Sequence, residues 1–417
     1  MQNINTFTIM LLCGLLLLNC EATEQNPTLK SSLAITSPTI AVPTLLQRHE
    51  RIQQGKEWEQ VQNHYANFKQ KITAGDQEAL LNLAQLFTQE ARVTGEHGHY
   101  YPAALDLLEQ ILKSKDLSKD LKFRTLSTKA GVQLSQHEFE EALTIGEAAV
   151  QLNPYNAQIY GVLTDAYVEL GDYEKAVAAA DKMVQIRPDL RSYARISYLR
   201  EIYGDVEGAI EAMKMAVQAG FPGQEEMAWT QLELGHLYAR YGQLEQAEQQ
   251  YQAILVNRPD YPFAIAALGE IAMTRNELQL AENYLKEAMS IIPEVGYYEQ
   301  LARVYKKTNR TAELNDILKE IEVMLQDDVD SGHNMNLEYA AIYRDLYEDY
   351  DKALAYTLTE YQKRPNNIDT NIMLASIYAE KGQMEVAKKH LTQGSITKAQ
   401  YPELLDLWVT LLSEKAH

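Results

Sequence analysis

Two histidines separated by one residue, in the run Glu96-His97-Gly98-His99, are the side chains of this 417-residue chain whose types and spacing point most directly to chemistry. Imidazole nitrogens suit Zn²⁺ or Cu²⁺, and a third ligand such as His64 would complete a site. The pair has no helical His-Glu-x-x-His order around it and no cysteine beside it, so hydrogen-bonded structural histidines are the competing reading. A second run, Asp327-Asp328-Val329-Asp330-Ser331-Gly332, resembles a calcium loop in composition. It lacks the alternating acidic order and the glutamate that such loops place after the glycine, and it reads as a solvated connection. No phosphate-binding glycine loop and no Gly-x-Ser-x-Gly elbow occurs. The carboxylates fall on polar helix faces, often three or four residues from Lys or Arg, and none is paired for acid–base work. The chain therefore reads as non-enzymatic.

Composition narrows the classes further. The net charge of −20 argues against general binding to nucleic acid or anionic lipid. The only cysteines are Cys13 and Cys20, so the body of the chain has no disulfide framework, thiolate metal site or cysteine nucleophile.

What would position these groups is helical and repeated. In the stretch 160–188, YGVLTDAYVELGDYEKAVAAADKMVQIRP, apolar and small residues recur at three- and four-residue spacing on both sides of Gly171-Asp172. Gly171 is expected to end one helix, Asp172 to cap the next, and Pro188 to stop it. Stops recur at Pro154, Pro188, Pro222, Pro259 and Pro293 with a period of about 34 residues, and Pro365 lies two periods further on.

The period resembles the tetratricopeptide repeat, a helix-turn-helix unit. Its Leu-Gly-x-x-Tyr signature stands as Leu234, Gly235 and Tyr238, and in relaxed form as Leu163, Thr164, Tyr167, as Leu301, Ala302, Tyr305, and as Leu374, Ala375, Tyr378. Its small second-helix residue is Ala142, Ala176, Ala209, Ala247, Ala281, Ala353 and Ala387. The resemblance implies an all-α, right-handed superhelical solenoid of about nine repeats with a C-terminal capping helix. It also implies that the first helices line a concave face receiving an extended peptide or a partner helix.

By position in each unit, that face carries Trp229, Leu232, His236 and Arg240, then Phe263, Glu270 and Met273, with Glu299 and Asp369 further along. The aromatic and apolar members offer an anchor for a partner side chain. Beside them Arg303, Lys306, Lys307 and Arg310 gather positive charge and read as a clamp for a carboxylate or an acidic segment. The alternative is that Trp229 and Phe263 pack between helices and the cations are a solvated face.

The N-terminus suggests export. Residues 7–18, FTIMLLCGLLLL, form an uncharged run too short to span a bilayer and suited to a secretory signal. The run Leu17-Leu18-Asn19-Cys20 resembles a bacterial lipoprotein box, which implies cleavage and acylation at Cys20. An ordinary cleaved signal and an uncleaved anchor remain the alternatives. The expected organisation is a signal over 1–20, a flexible tether over 21–44, an N-terminal helix and divergent repeat over 45–122, and repeats over 123–325. An acidic loop over 326–336, repeats over 337–400 and a capping helix over 401–417 follow. Residues 75–380 also resemble an uncharacterised branch of bacterial exported repeat proteins. The reading that emerges is a protein- or peptide-binding scaffold in the cell envelope, membrane-anchored if Cys20 is acylated. Its alternative is a metal-binding or metal-handling envelope protein that uses Glu96, His97 and His99.

Overall fold

The computed structural model describes residues 42–53 and 55–413. The signal run, Cys20 and most of the expected tether lie outside the described residues.

A helix α1 (Lys56–Thr73) is followed by nine antiparallel pairs among the described residues. They are α2–α3 (Gln77–Thr94, His97–Leu112), α4–α5 (Lys119–Ser135, Phe139–Leu152), α6–α7 (Ala157–Leu170, Tyr173–Ile186), α8–α9 (Leu190–Ile202, Val206–Gln218) and α10–α11 (Glu225–Arg240, Leu244–Asn257). The series continues with α12–α13 (Pro262–Thr274, Leu278–Met289), α14–α15 (Val295–Lys307, Thr311–Asp330), α16–α17 (Asn336–Ile342, Tyr350–Lys363) and α18–α19 (Ile368–Glu380, Met384–Gly394), and α20 (Pro402–Ser413) closes it. Each pair packs mainly on its neighbours, as an all-α solenoid requires.

Local sequence explains the pairs. Gly171 adopts φ 80 and ends α6, and the Asp172 carboxylate accepts from the Lys175 N–H at the start of α7. All seven signature alanines, from Ala142 to Ala387, are fully buried where two helices approach most closely.

The winding brings distant repeats together. The first repeat meets the fifth where Arg92 pairs with Glu225, and the second meets the 331–334 turn where Gln136 Nε2 donates to the Ser331 carbonyl at 3.0 Å. The third meets the ninth, where the Ile368 N–H donates to the Tyr173 hydroxyl at 2.8 Å. One apolar core joins Val168, Tyr173 and Leu199 to Ile372, Leu391 and Leu404. The superhelix is thereby closed on itself, and its concave face becomes an interior.

Several boundaries differ from the sequence reading. Residues 42–49 have no regular secondary structure and α1 begins at Lys56, not near Leu45, because this segment packs on α1 to α3 through Val42, Leu45 and Leu46. Arg48 forms a bidentate pair with Glu90 at 2.8 and 2.6 Å, and Arg51 reaches Asp260 and Glu287. The helix α3 begins at His97 and carries Pro102 inside it, with Tyr100 and Tyr101 buried in its first turns. The expected 326–336 loop shortens to 331–335, because α15 runs on through Asp330 with Leu325 buried. In α20, Leu404 and Leu411 are buried against α18, α19 and the α6–α8 core, while Leu405 and Leu412 are exposed. It therefore covers the last repeat with one face only.

Candidate functional site

The concave face holds a partly open cavity of about 660 Å³. Its aromatic wall comes from first helices: Trp229 in α10 meets Phe263 in α12 edge-on at 5.5 Å, and Phe263 meets Tyr297 in α14 at 6.1 Å. Arg92 from α2 stands over Trp229 at 5.9 Å and is paired with Glu225. Leu232 and His236 line the same wall one and two turns further along α10.

The lining is also acidic. Glu299 of α14, Glu338 of α16 and Asp369 of α18 line the cavity together with Glu294, which precedes α14. Among the described residues none of these four has a lysine or arginine within salt-bridge reach, and Asp369 Oδ1 and Glu338 Oε2 have no hydrogen-bond partner. Burial pushes Glu294, Glu299, Glu338 and Asp369 each up to about 7. The winding thus leaves four carboxyl groups that hold a proton near neutrality and have no lysine or arginine partner, with His137 Nδ1 3.7 Å from Glu338.

The cations grouped by the sequence behave differently. Arg303 pairs with Asp345 at 3.1 Å, Lys306 with Glu348 at 2.6 Å, and Arg310 with Glu282 at 2.7 Å and Glu313 at 2.8 Å. Lys307 is exposed. Arg240 pairs with Glu201 and lies 5.9 Å from the Tyr401 ring. Met273 packs into the core around Leu285 and Leu301. The cation in the cavity wall besides Arg92 is Arg344, on a π-helical turn (Tyr343–Tyr347), and it is held by Asp345 at 2.6 Å and Glu403 at 3.2 Å.

The histidine run is split by its helix. His97 and His99 lie two residues apart on the first turn of α3, a spacing that points side chains in different directions. His99 Nε2 lies 2.7 Å from the Thr44 carbonyl, while His97 stacks on Tyr101 and turns to His333 with ring centroids 6.0 Å apart. His64 is exposed on α1 and stacks on Phe68. The winding instead gathers His97, Asp328 and His333, whose ligand atoms lie within 4.8 Å of one another. Burial lowers His333 to about 3 and raises Asp328 to about 6. Both residues stand in or beside the run read from sequence as a solvated connection. The signal missed was long-range, because nothing local says that this turn meets α3.

Two separate stretches, residues 133–200 and 232–293, match models of the tetratricopeptide repeat. Those two stretches are tetratricopeptide repeats, and the helix pairs around them continue the same solenoid architecture. Among curated proteins the chain is similar to the anaphase-promoting complex subunit CDC16 of Saccharomyces cerevisiae, 24% identical over 326 residues. That match covers 74% of the chain and 38% of CDC16. A Protein SGT1 homolog of Oryza sativa is 30% identical over 76 residues, 18% of the chain and 20% of that protein. The chain thus spans well under half the length of these relatives. Among solved structures it is similar to the APC/C hetero-tetramer Cut9-Hcn1, with 16% identity, TM-score 0.46, and coverage of 80% of this chain and 62% of that one. MamA matches with 18% identity, TM-score 0.31, and coverage of 39% and 92%. No helix among the described residues is long and apolar enough to cross a membrane.

Proposed function

We propose that this protein is a non-enzymatic scaffold that receives a positively charged segment of a protein partner in the cavity on its concave face, and that it works in the bacterial cell envelope. The observation that carries the reading is the group Glu294, Glu299, Glu338 and Asp369, without lysine or arginine partners among the described residues. A lysine or arginine side chain, or an amino terminus, supplies the missing counter-charge, and charge complementarity of this kind sets specificity. The Trp229–Phe263 pair adds apolar surface for the aliphatic stem of that side chain. The cavity lies within the range of about 300–1,000 Å³ usual for small ligands. A volume of that size suits one or two side chains or a chain end. The cations Arg303, Lys306 and Arg310 already face the chain's own acids, which turns the expected preference for an acidic segment into one for a basic segment.

The envelope location rests on the apolar run 7–18 and on Cys20. Acylation there would tether the repeats to a membrane surface through residues 21–44.

Isothermal titration with short lysine- and arginine-containing peptides, and with matched glutamate-containing ones, tests the reading. The basic peptides bind, and the Glu299→Gln, Asp369→Asn double variant weakens them about tenfold, as expected for loss of charge pairs. Equal binding of the acidic peptides, or no effect of the double variant, would overturn it.

A further inference from the structure

We propose that His97, Asp328 and His333 form a binding site for a divalent transition ion of the zinc class, which clasps the first repeat to the seventh. His97 comes from the first turn of α3, Asp328 from the last turn of α15, and His333 from the turn that follows it. Their ligand atoms lie within 4.8 Å of one another. An ion about 2.0–2.2 Å from each ligand holds such atoms roughly 3.4 Å apart, so small side-chain rotations close the shell.

A second observation points the same way. His333 is buried, and its Nε2 has no hydrogen-bond partner. Its other nitrogen, Nδ1, lies 3.2 Å from the backbone carbonyl of Asp328. A proton on Nδ1 donated to that carbonyl leaves the Nε2 lone pair free and aims the ring. This is the arrangement by which a carbonyl behind an imidazole orients a metal ligand.

The turn that carries His333 is fixed. Gln136 Nε2 donates to the Ser331 carbonyl at 3.0 Å, and the Asn334 N–H donates to the Gln136 carbonyl at 2.9 Å. His137 Nδ1 lies 3.0 Å from the Asn334 carbonyl. On the other side α3 approaches so closely that a β-carbon at Gly98 would stand 2.6 Å from Ser331 Oγ. His97 and His333 therefore face each other across a rigid gap.

The electrostatics favour a cation. The charged groups facing Asp328 are Glu294, Glu338, Asp327 and His97. Two imidazoles and one carboxylate suit zinc and its neighbours in the transition series better than calcium or magnesium, which take oxygen ligands. Three protein ligands leave a fourth position for water or for a ligand entering the cavity. The site differs from a local His97–His99 chelate, since His99 faces Thr44.

The test uses the purified full chain, stripped with EDTA and titrated with ZnCl₂ by calorimetry, with the melting temperature followed in parallel. One Zn²⁺ binds per chain and raises the melting temperature. His333→Ala and Asp328→Asn each weaken binding by at least about tenfold, and His99→Ala leaves it unchanged. Absence of binding with Zn²⁺ in large excess, or an equal loss in His99→Ala, overturns the proposal. Should the variants fail to fold, Co²⁺ added to the unaltered chain decides. A visible spectrum of a low-coordinate nitrogen and oxygen shell that Zn²⁺ bleaches supports the site, and a spectrum of the hexa-aqua ion overturns it.

Discussion

The guanidinium of Arg364, in the turn after α17, donates to the carboxylate of Glu169 in α6, joining positions 195 residues apart. It also donates to Glu360 at 2.5 Å and lies 4.7 Å from the Phe139 ring, with all three charged side chains almost fully buried. Beside it the backbone of Asn366 presses on Gly171, where a β-carbon would meet the Asn366 carbonyl carbon at 2.4 Å. This junction holds the winding closed and makes an interior of a face that an open solenoid would leave as a groove.

Arg364→Ala strands Glu169 and Glu360 as buried, unpaired charges. We expect a loss of about 3–5 kcal/mol in guanidinium unfolding, the range for breaking a buried pair from one side. A loss under about 1 kcal/mol, as for a surface pair, would mean that the junction does not hold the winding.

Gly235 in α10 lies against the ring of Tyr251 in α11, where a β-carbon would stand 2.2 Å from Cε1. Gly235→Ala should destabilise by about 1–3 kcal/mol through overpacking. Gly296 in α14 has nothing within 4 Å of its β-position, and Gly296→Ala should stabilise by up to about 1 kcal/mol through helix propensity. Thermal melts of the two variants, shifted in opposite directions, check both.

Much of this was legible in the sequence. The period, the caps at Gly171 and Asp172 and the alanine seams follow from contacts within one repeat, and such contacts leave a local pattern. Closure did not show. It depends on small rotations accumulated over successive repeats, so the meeting of Glu169 with Arg364 or of His97 with His333 has no signature near either residue. The positions of Trp229, Leu232, His236 and Phe263 on the cavity wall follow from repeat register. The engagement of Arg303 by Asp345 does not, because Asp345 sits in a π-helical turn that breaks the register.

Glu299 and Asp369 titrate near 7 in the folded chain against ordinary values of 4.5 and 3.8, owing chiefly to burial. Between about pH 4 and pH 7 the folded state holds more protons than the unfolded state, so these groups make stability fall as pH rises through that window. These two groups therefore favour a higher melting temperature at pH 6 than at pH 8, while the buried His97, His137 and His333, lowered from their ordinary value, act the other way. The Glu299→Gln, Asp369→Asn double variant should lower the melting temperature at pH 6 relative to that at pH 8 by a few degrees, at about 2–4 °C per kcal/mol. A difference of unchanged size in the variant would assign the slope to other groups.

Cys20→Ser tests the proposed anchor. Fractionated cells should show the unaltered chain with membranes and the variant in the soluble exported fraction. Equal membrane retention of the variant would remove acylation from the account.

The most direct test of a cation-receiving cavity is a photo-crosslinking residue placed at Trp229 in cells, compared with one at Val256, which is 80% exposed on α11. The account predicts crosslinks from position 229 to a lysine- or arginine-bearing segment of one envelope protein, lost in the Glu299→Gln, Asp369→Asn background and absent from position 256. Crosslinks to an acidic segment, or from position 256 alone, would contradict it.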